Sequence, residues 1–217
     1  MAILFLLTFA PLSLYGDPPI ELDELPSPPR EIRKLIQSAN VTMESGEAND
    51  RDPKLAGLTD YKIQFQYGVR PKWHLDSTGT RLRISTRYFK VDWSQSHKIW
   101  LRKKPPTDQF WSSELVLHEF DHVRISSDPR FKAMFETRLR KSTSLTREVS
   151  ENDKVNRALI DTLIDEHVNG VFKDVTDLIS IRYKELDRVT NHGRRPIPED
   201  SEMAEYFREL DEATEED

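Results

Sequence analysis

The sequence predicts an α+β protein in which a small antiparallel sheet is followed by helices, the last of them long. Three observations carry this reading. Between Tyr61 and Leu101 apolar residues alternate with polar ones, the two-residue period of strands with one buried face. From residue 112 onward the apolar spacing changes to three and four, the period of an amphipathic helix. The strand runs come first and the helical runs after them, as in folds where sheet and helices are segregated.

The elements follow in chain order. Ala2 to Leu14 is nearly all apolar and ends at Ser13-Leu14-Tyr15-Gly16. It has the length of a signal h-region and is too short for an ordinary spanning helix, although no Lys or Arg precedes it. Residues 1–16 therefore read as a signal peptide or membrane anchor, and the protein as secreted, periplasmic or membrane-anchored in a bacterial envelope. Pro18, Pro19, Pro26, Pro28 and Pro29 stand among acidic residues and predict a stiff, extended linker. Glu31 to Ala39 suits a short helix, and residues 44–54 a loop, so 17–55 reads as linker plus helix.

The folded domain is expected over 56–197. Its first strand carries Tyr61, Ile63, Phe65 and Tyr67, and its second Leu82, Ile84, Thr86 and Tyr88, with a turn at Asp76-Ser77-Thr78-Gly79 between them. His97 to Leu101 makes a third. Ser112 or Ser113 caps a helix reaching about Ile125. Ser127-Asp128-Pro129 starts another, with proline at the favoured first position. The long helix runs from about Asn152 to Val189, with Val155, Leu159, Leu163, Ile164, Val168, Val171, Val175 and Leu178 as its stripe. Gly193 and Pro196 end it. Residues 198–217 read as an acidic tail.

Composition narrows the function. Of 217 residues, 32% are charged and the formal net charge is −6, with the two signs interspersed and no basic stripe. A nucleic-acid partner is therefore not expected. With no cysteine, disulfides and cysteine-ligated zinc are excluded.

Residues 118–122 read His-Glu-Phe-Asp-His. Histidines four apart on a helix project from one face, one turn apart, so both imidazoles can reach one zinc ion. Glu119 then falls beside the metal, placed to take a proton from a zinc-activated water. His118 and His122 are thus expected as metal ligands and Glu119 as general base. The substrate class expected is a peptide or protein.

A catalytic zinc normally has three protein ligands and an open position. The metzincin continuation fails, because Ile125 and Asp128 stand where glycine and histidine would be needed. The third ligand must come from later in the chain. His192, at the end of the long helix beside Gly193, is the first choice. Asp187 is an alternative ligand or an orienting partner. Asp165, Glu166 and His167 form a third group, with His167 on the apolar stripe.

The motif His118-Glu119-x-x-His122, followed on a later helix by Asp187-Arg188-x-Thr190-x-His192-Gly193, resembles a bacterial family of predicted secreted zinc-dependent proteases, catalogued as a domain of unknown function. The likeness covers roughly residues 60–195. Leu186 departs from it, since an aromatic residue usually stands there. The resemblance implies a zincin-like fold, peptidase activity and His192 as a ligand. A non-catalytic, zinc-stabilised binding module of the cell envelope is the competing reading, and Glu119 speaks against it, because a purely structural site has no need of that carboxylate.

Overall fold

The computed structural model describes residues 17–47, 55–150 and 153–215, and these hold five α-helices, two short 3-10 helices and six strands. The expected signal segment, 1–16, lies outside the described residues. The α+β class is observed, with small sheets and a long helix towards the C-terminus. Among the described residues no helix is long and apolar enough to cross a membrane.

The chain divides into two compact units. One comprises Gln64–Ser94 and Pro129–Leu178; the other comprises the chain up to Ile63, Gln95–Asp128 and the chain from Ile179. We call them the aromatic unit and the histidine unit. The division falls inside β2 (Gly57–Val69), β5 (Tyr88–Leu101) and α4 (Arg157–Thr190), so each of these contributes a portion to each unit.

The histidine unit begins with the proline-rich stretch, which is packed rather than a free linker. Ile20 and Leu25 alternate with the prolines and are buried. The Ile20 amide donates to the Met43 carbonyl at 2.9 Å, the Ser45 amide donates to Pro18 at 3.0 Å, and the Trp111 indole donates to Pro26 at 2.6 Å. Proline removes donors but leaves its carbonyls free to accept, and these bonds use two of them. Helix α1 (Arg30–Ser38) lies where the sequence places it. Asn40, in the left-handed region at φ 48°, turns the chain into β1 (Val41–Ser45), inside a stretch whose later part was expected to be loop.

Strand β1 pairs in parallel with the end of β5, Val41 opposite His97 through Ser45 opposite Leu101, and β5 lies between β1 and β2. This sheet is therefore not purely antiparallel, because α1 precedes β1 and delivers it in the direction of β5. Ile32, Met43, Ile99 and Leu101 form the core with Val116, Phe120 and Val123 of α2 (Glu114–Ser126). Those three α2 positions are spaced four and three apart and fix which face of the helix meets the core.

Residues 198–217 hold α5 (Glu202–Glu215) where a tail was expected. Met203, Tyr206, Phe207 and Leu210 follow the helical period and are buried. Full burial of such side chains contributes about 1.5–3 kcal/mol each. The Tyr206 hydroxyl donates to Asp128 at 2.7 Å, and Arg124 pairs with Asp211 at 2.6 Å and lies over the Phe207 ring.

The aromatic unit holds an antiparallel sheet in the order β3 (Lys72–Leu75), β4 (Arg81–Ser85), β6 (Ser144–Glu148). The turn at Asp76–Gly79 is as expected: the Asp76 carboxylate accepts from Thr78 and from the amides of Thr80 and Arg81, and Gly79 takes φ 72°. Leu82 and Tyr88, expected on one strand, belong to β4 and β5, because Thr86 leaves the ladder to bond with Ser142 and Thr143. Helix α3 (Pro129–Lys141) and residues 157–178 of α4 supply the rest. Phe65, Trp93, Phe135 and Phe172 pack edge-on or tilted against one another, with ring centroids 4.6–5.9 Å apart. On α4 the buried stripe includes Ile160, Ile164, Val168, Val175 and Ile179, so Leu159 and Leu178 sit at its margin.

Candidate metal centre

In the histidine unit, α2 brings His118 and His122 to one face. Both side chains are buried, at about 5–6% exposure. Asp187, near the C-terminal end of α4, points a single carboxylate oxygen at them. His118 Nε2 lies 3.1 Å from Asp187 Oδ1, and His122 Nε2 lies 3.2 Å from the same atom. Ligands about 2.0–2.1 Å from a tetrahedral zinc would lie about 3.3 Å from one another. The Asp187 oxygen thus lies at coordination-site spacing from both ring nitrogens, and with the three ligand atoms within 4.8 Å of one another these residues form a group able to hold a metal ion.

Thr190 faces the other ring nitrogen of His118. The Thr190 hydroxyl donates to the Leu186 carbonyl at 2.7 Å, so its oxygen is left to accept, from the Gly193 amide at 3.1 Å and from His118 Nδ1 at 3.5 Å. With its proton on Nδ1, His118 would offer a lone pair on Nε2 to a cation beside the Asp187 oxygen; with the proton on Nε2 it donates to that oxygen, 3.1 Å away. Burial pushes the Asp187 carboxyl up, but hydrogen bonds to His118 and His122 and the charge of those rings outweigh it and hold Asp187 well below the usual carboxylate range. Asp187 is therefore ionised and ready to ligate. Its side chain is 32% exposed, so solvent reaches the cluster from this side.

Glu119 is buried next to the two histidines. Its Oε2 accepts from the Thr59 hydroxyl at 2.7 Å, and its Oε1 packs on Gly57, where a β-carbon would sit 2.4 Å from it. The first turns of β2 thus clamp the carboxylate. Burial raises its pKa, opposed by the charge of His122, the Thr59 hydrogen bond and the charge of His118.

No family model, curated protein or solved structure matches the chain. The site therefore rests on its own geometry. His192, expected to ligate, stands outside the group of three: its side chain is 63% exposed, and its Nδ1 lies 3.4 Å from Asp187 Oδ1. Asn191, His192 and Gly193 take φ of 52°, 55° and 71° in succession, and this left-handed turn carries the ring outward. Asp165, Glu166 and His167 belong to the aromatic unit. There Asp165 accepts from the Tyr67 hydroxyl, Glu166 lies 4.0 Å from Arg147, and His167 Nε2 is buried without a partner.

Two site residues were not assigned a role at the histidines from sequence. Gly193 packs against the His118 ring, and Thr190 holds the Nδ1 of that ring. Both belong to the Asp-Arg-x-Thr-x-His-Gly run, which was the available signal. Thr59 had none. A cavity of about 170 Å³ opens beside His118, lined by Glu114, Leu117 and Asp121 of α2 and by Thr190, Gly193 and Ile197.

Proposed function

We propose that the chain is a zinc-dependent hydrolase, a peptidase exported to the bacterial envelope, with His118, His122 and Asp187 holding the metal and Glu119 as general base. The observation that carries this reading is the convergence of two imidazole nitrogens and one carboxylate oxygen at 3.1 and 3.2 Å, with a second carboxylate one residue along α2. Two imidazoles and a carboxylate are a known catalytic donor set, and the open side at Asp187 suits a fourth position for water or substrate. The apolar run from Ala2 to Leu14 supports export. The likeness to secreted zinc-dependent proteases, stated above on the two motifs, agrees with this.

A zinc ion held there supplies Lewis acidity and lowers the pKa of a water it binds to about 7. The chain's own residues do the rest. Thr59 holds Glu119 Oε2, which fixes the plane of the carboxylate and leaves Oε1 to take the water proton. Burial raises the proton affinity of Glu119, which suits a base working near neutral pH. The same group then returns the proton to the leaving amine. The free edge of β2, next to Glu119 through Thr59, offers backbone groups with which an extended peptide can pair. Of the side chains suited to stabilise an oxyanion, Tyr183 is committed to Ser126, Arg124 to Asp121 and Asp211, and Arg188 to Glu185.

The test is elemental analysis of protein prepared without chelator, together with cleavage of a broad peptide library by wild type and Glu119→Gln. The wild type should carry about one zinc per chain and cleave. Glu119→Gln should keep the zinc and lose about 10²–10⁴-fold in rate. A zinc-loaded wild type that cleaves nothing would leave a zinc-stabilised binding module as the better account.

A further inference from the structure

The two histidines are held in different ways. His118 is oriented by a polar partner, Thr190, on its Nδ1. His122 Nδ1 is buried and has no hydrogen-bond partner. A ligating histidine usually takes its orientation from a hydrogen bond at the ring nitrogen that does not bind metal, and His122 lacks one. Its ring lies instead against Tyr183, with centroids 4.3 Å apart and planes inclined at 52°.

Tyr183 is in turn fixed by a chain of hydrogen bonds with one consistent direction. The Ala39 carbonyl only accepts, so His97 Nδ1, 2.7 Å away, donates to it. Burial disfavours the charged ring and keeps His97 neutral, so its Nε2 accepts. The Ser126 hydroxyl, 2.7 Å from that nitrogen, therefore donates to it and has its lone pairs left for Tyr183. The Tyr183 hydroxyl donates to Ser126 Oγ at 2.8 Å. On its other side Tyr61 packs edge-on, with centroids 5.4 Å apart. All of these residues are in the histidine unit.

Resting on the metal centre proposed above, we infer that Tyr183 is the positioning residue for His122, orienting the ligand ring by aromatic packing in place of the missing hydrogen bond, and that Ser126 and His97 lock Tyr183 in that place. None of the three touches substrate or the reacting atoms in this role.

The experiment measures zinc affinity of the full chain by competition with a chromophoric chelator, and the visible absorption of the cobalt-substituted protein, which reports ligand geometry. Circular dichroism checks folding. Tyr183→Leu should weaken zinc about 10–100-fold and alter the cobalt spectrum, the range seen when an outer partner of a metal ligand is lost. Tyr183→Phe keeps the ring and should lose less than Tyr183→Leu. His97→Gln, whose amide can donate to Ala39 and accept from Ser126, should bind like wild type, and His97→Leu should not. Wild-type affinity and spectrum in folded Tyr183→Leu would overturn the inference. Should that variant not fold, Ser126→Ala decides: it frees the Tyr183 hydroxyl and leaves the His122 ring in place, Ser126 meeting His122 at its backbone carbonyl, 3.0 Å away, and unchanged affinity and spectrum there would overturn the inference equally. A wild type that binds zinc but cleaves no peptide removes the peptidase reading and leaves this inference standing. One that takes up no zinc removes both.

Discussion

The α-carbon of Gly193 lies against the ring of His118, so closely that a β-carbon there would stand 2.7 Å from His118 Cγ and 2.8 Å from its Cβ. Gly193 also takes φ 71°, where only glycine is unstrained. Two separate demands, space and backbone angle, thus fall on one residue. Gly193→Ala should destabilise the fold by about 1–3 kcal/mol and displace the His118 ring. Urea unfolding and zinc content measure the two effects, and wild-type values in both would contradict the packing described.

Asp187 and His192 can be separated by substitution. Asp187→Asn keeps the shape but loses the charge that faces the two imidazoles, and should lower zinc affinity severely. His192→Ala removes a ring that is 63% exposed and reaches the cluster only through Asp187, and should lower affinity far less. Competition with a chelator ranks the two. The reverse order would make His192 the ligand.

Thr59→Val removes the hydrogen bond to Glu119 at nearly constant volume, whereas Thr59→Ser keeps a hydroxyl. Loss of a hydrogen bond to a charged group typically costs about 1.5–3 kcal/mol. If Glu119 is the base, kcat should fall about tenfold or more in Thr59→Val with zinc content unchanged, and recover in Thr59→Ser. Equal activity of Thr59→Val and wild type would show that the clamp on Glu119 is dispensable.

His97 gives the fold a dependence on pH. Burial lowers its folded pKa below the unfolded value of about 6.5. As pH falls through 6.5 the unfolded chain takes up a proton that the folded chain refuses. Stability therefore declines from neutral to mildly acid pH, and is fully retained only above about 6.5, with a limiting slope of about 1.4 kcal/mol per pH unit. In His97→Gln this part of the slope should vanish. Thermal melts of both proteins at pH 7.5 and 5.5 provide the comparison, and parallel losses would show that His97 is not responsible.

Phe207→Ala tests whether α5 is part of the fold. Its ring is buried beside Tyr206 and under Arg124, so its removal should cost about 3–5 kcal/mol in a denaturant melt. A loss below 0.5 kcal/mol, typical of surface positions, would return the segment to the status of a tail.

What was legible in the sequence was local. The His118–His122 spacing needs only one helix turn, and α1, α2 and α3 lie close to where the sequence places them, although Ser113 at the start of α2 makes no side-chain capping hydrogen bond. Asp187 could be named only as an alternative ligand. Which residue at the end of α4 reaches α2 depends on the register of two helices separated by some 65–69 positions, and no short-range pattern records that. The strands β1, β3 and β6 were missed, β1 and β6 for a related reason. Val41 and Met43 are just two apolar positions, and their partner strand begins far along the chain, while β6 has Leu145 alone. In α5 the acidic residues hid the period of Met203, Tyr206, Phe207 and Leu210. Thr59 left no trace, because a threonine near the start of a strand is ordinary until the glutamate it holds is known.

His118 and Asp187 stand 69 positions apart, and the whole excursion from Pro129 to Leu178 into the aromatic unit lies between them. An ion gripping both would work as a removable staple. It would close that excursion into a ring, and an unfolded chain so closed has fewer conformations to gain. For a covalent link around a loop of this size the entropic effect is about 4 kcal/mol. The affinity of such an ion would then double as resistance to unravelling, and a chelator would act as a denaturant. On the function proposed above, the loss of one ion would both silence the protein and open it to degradation.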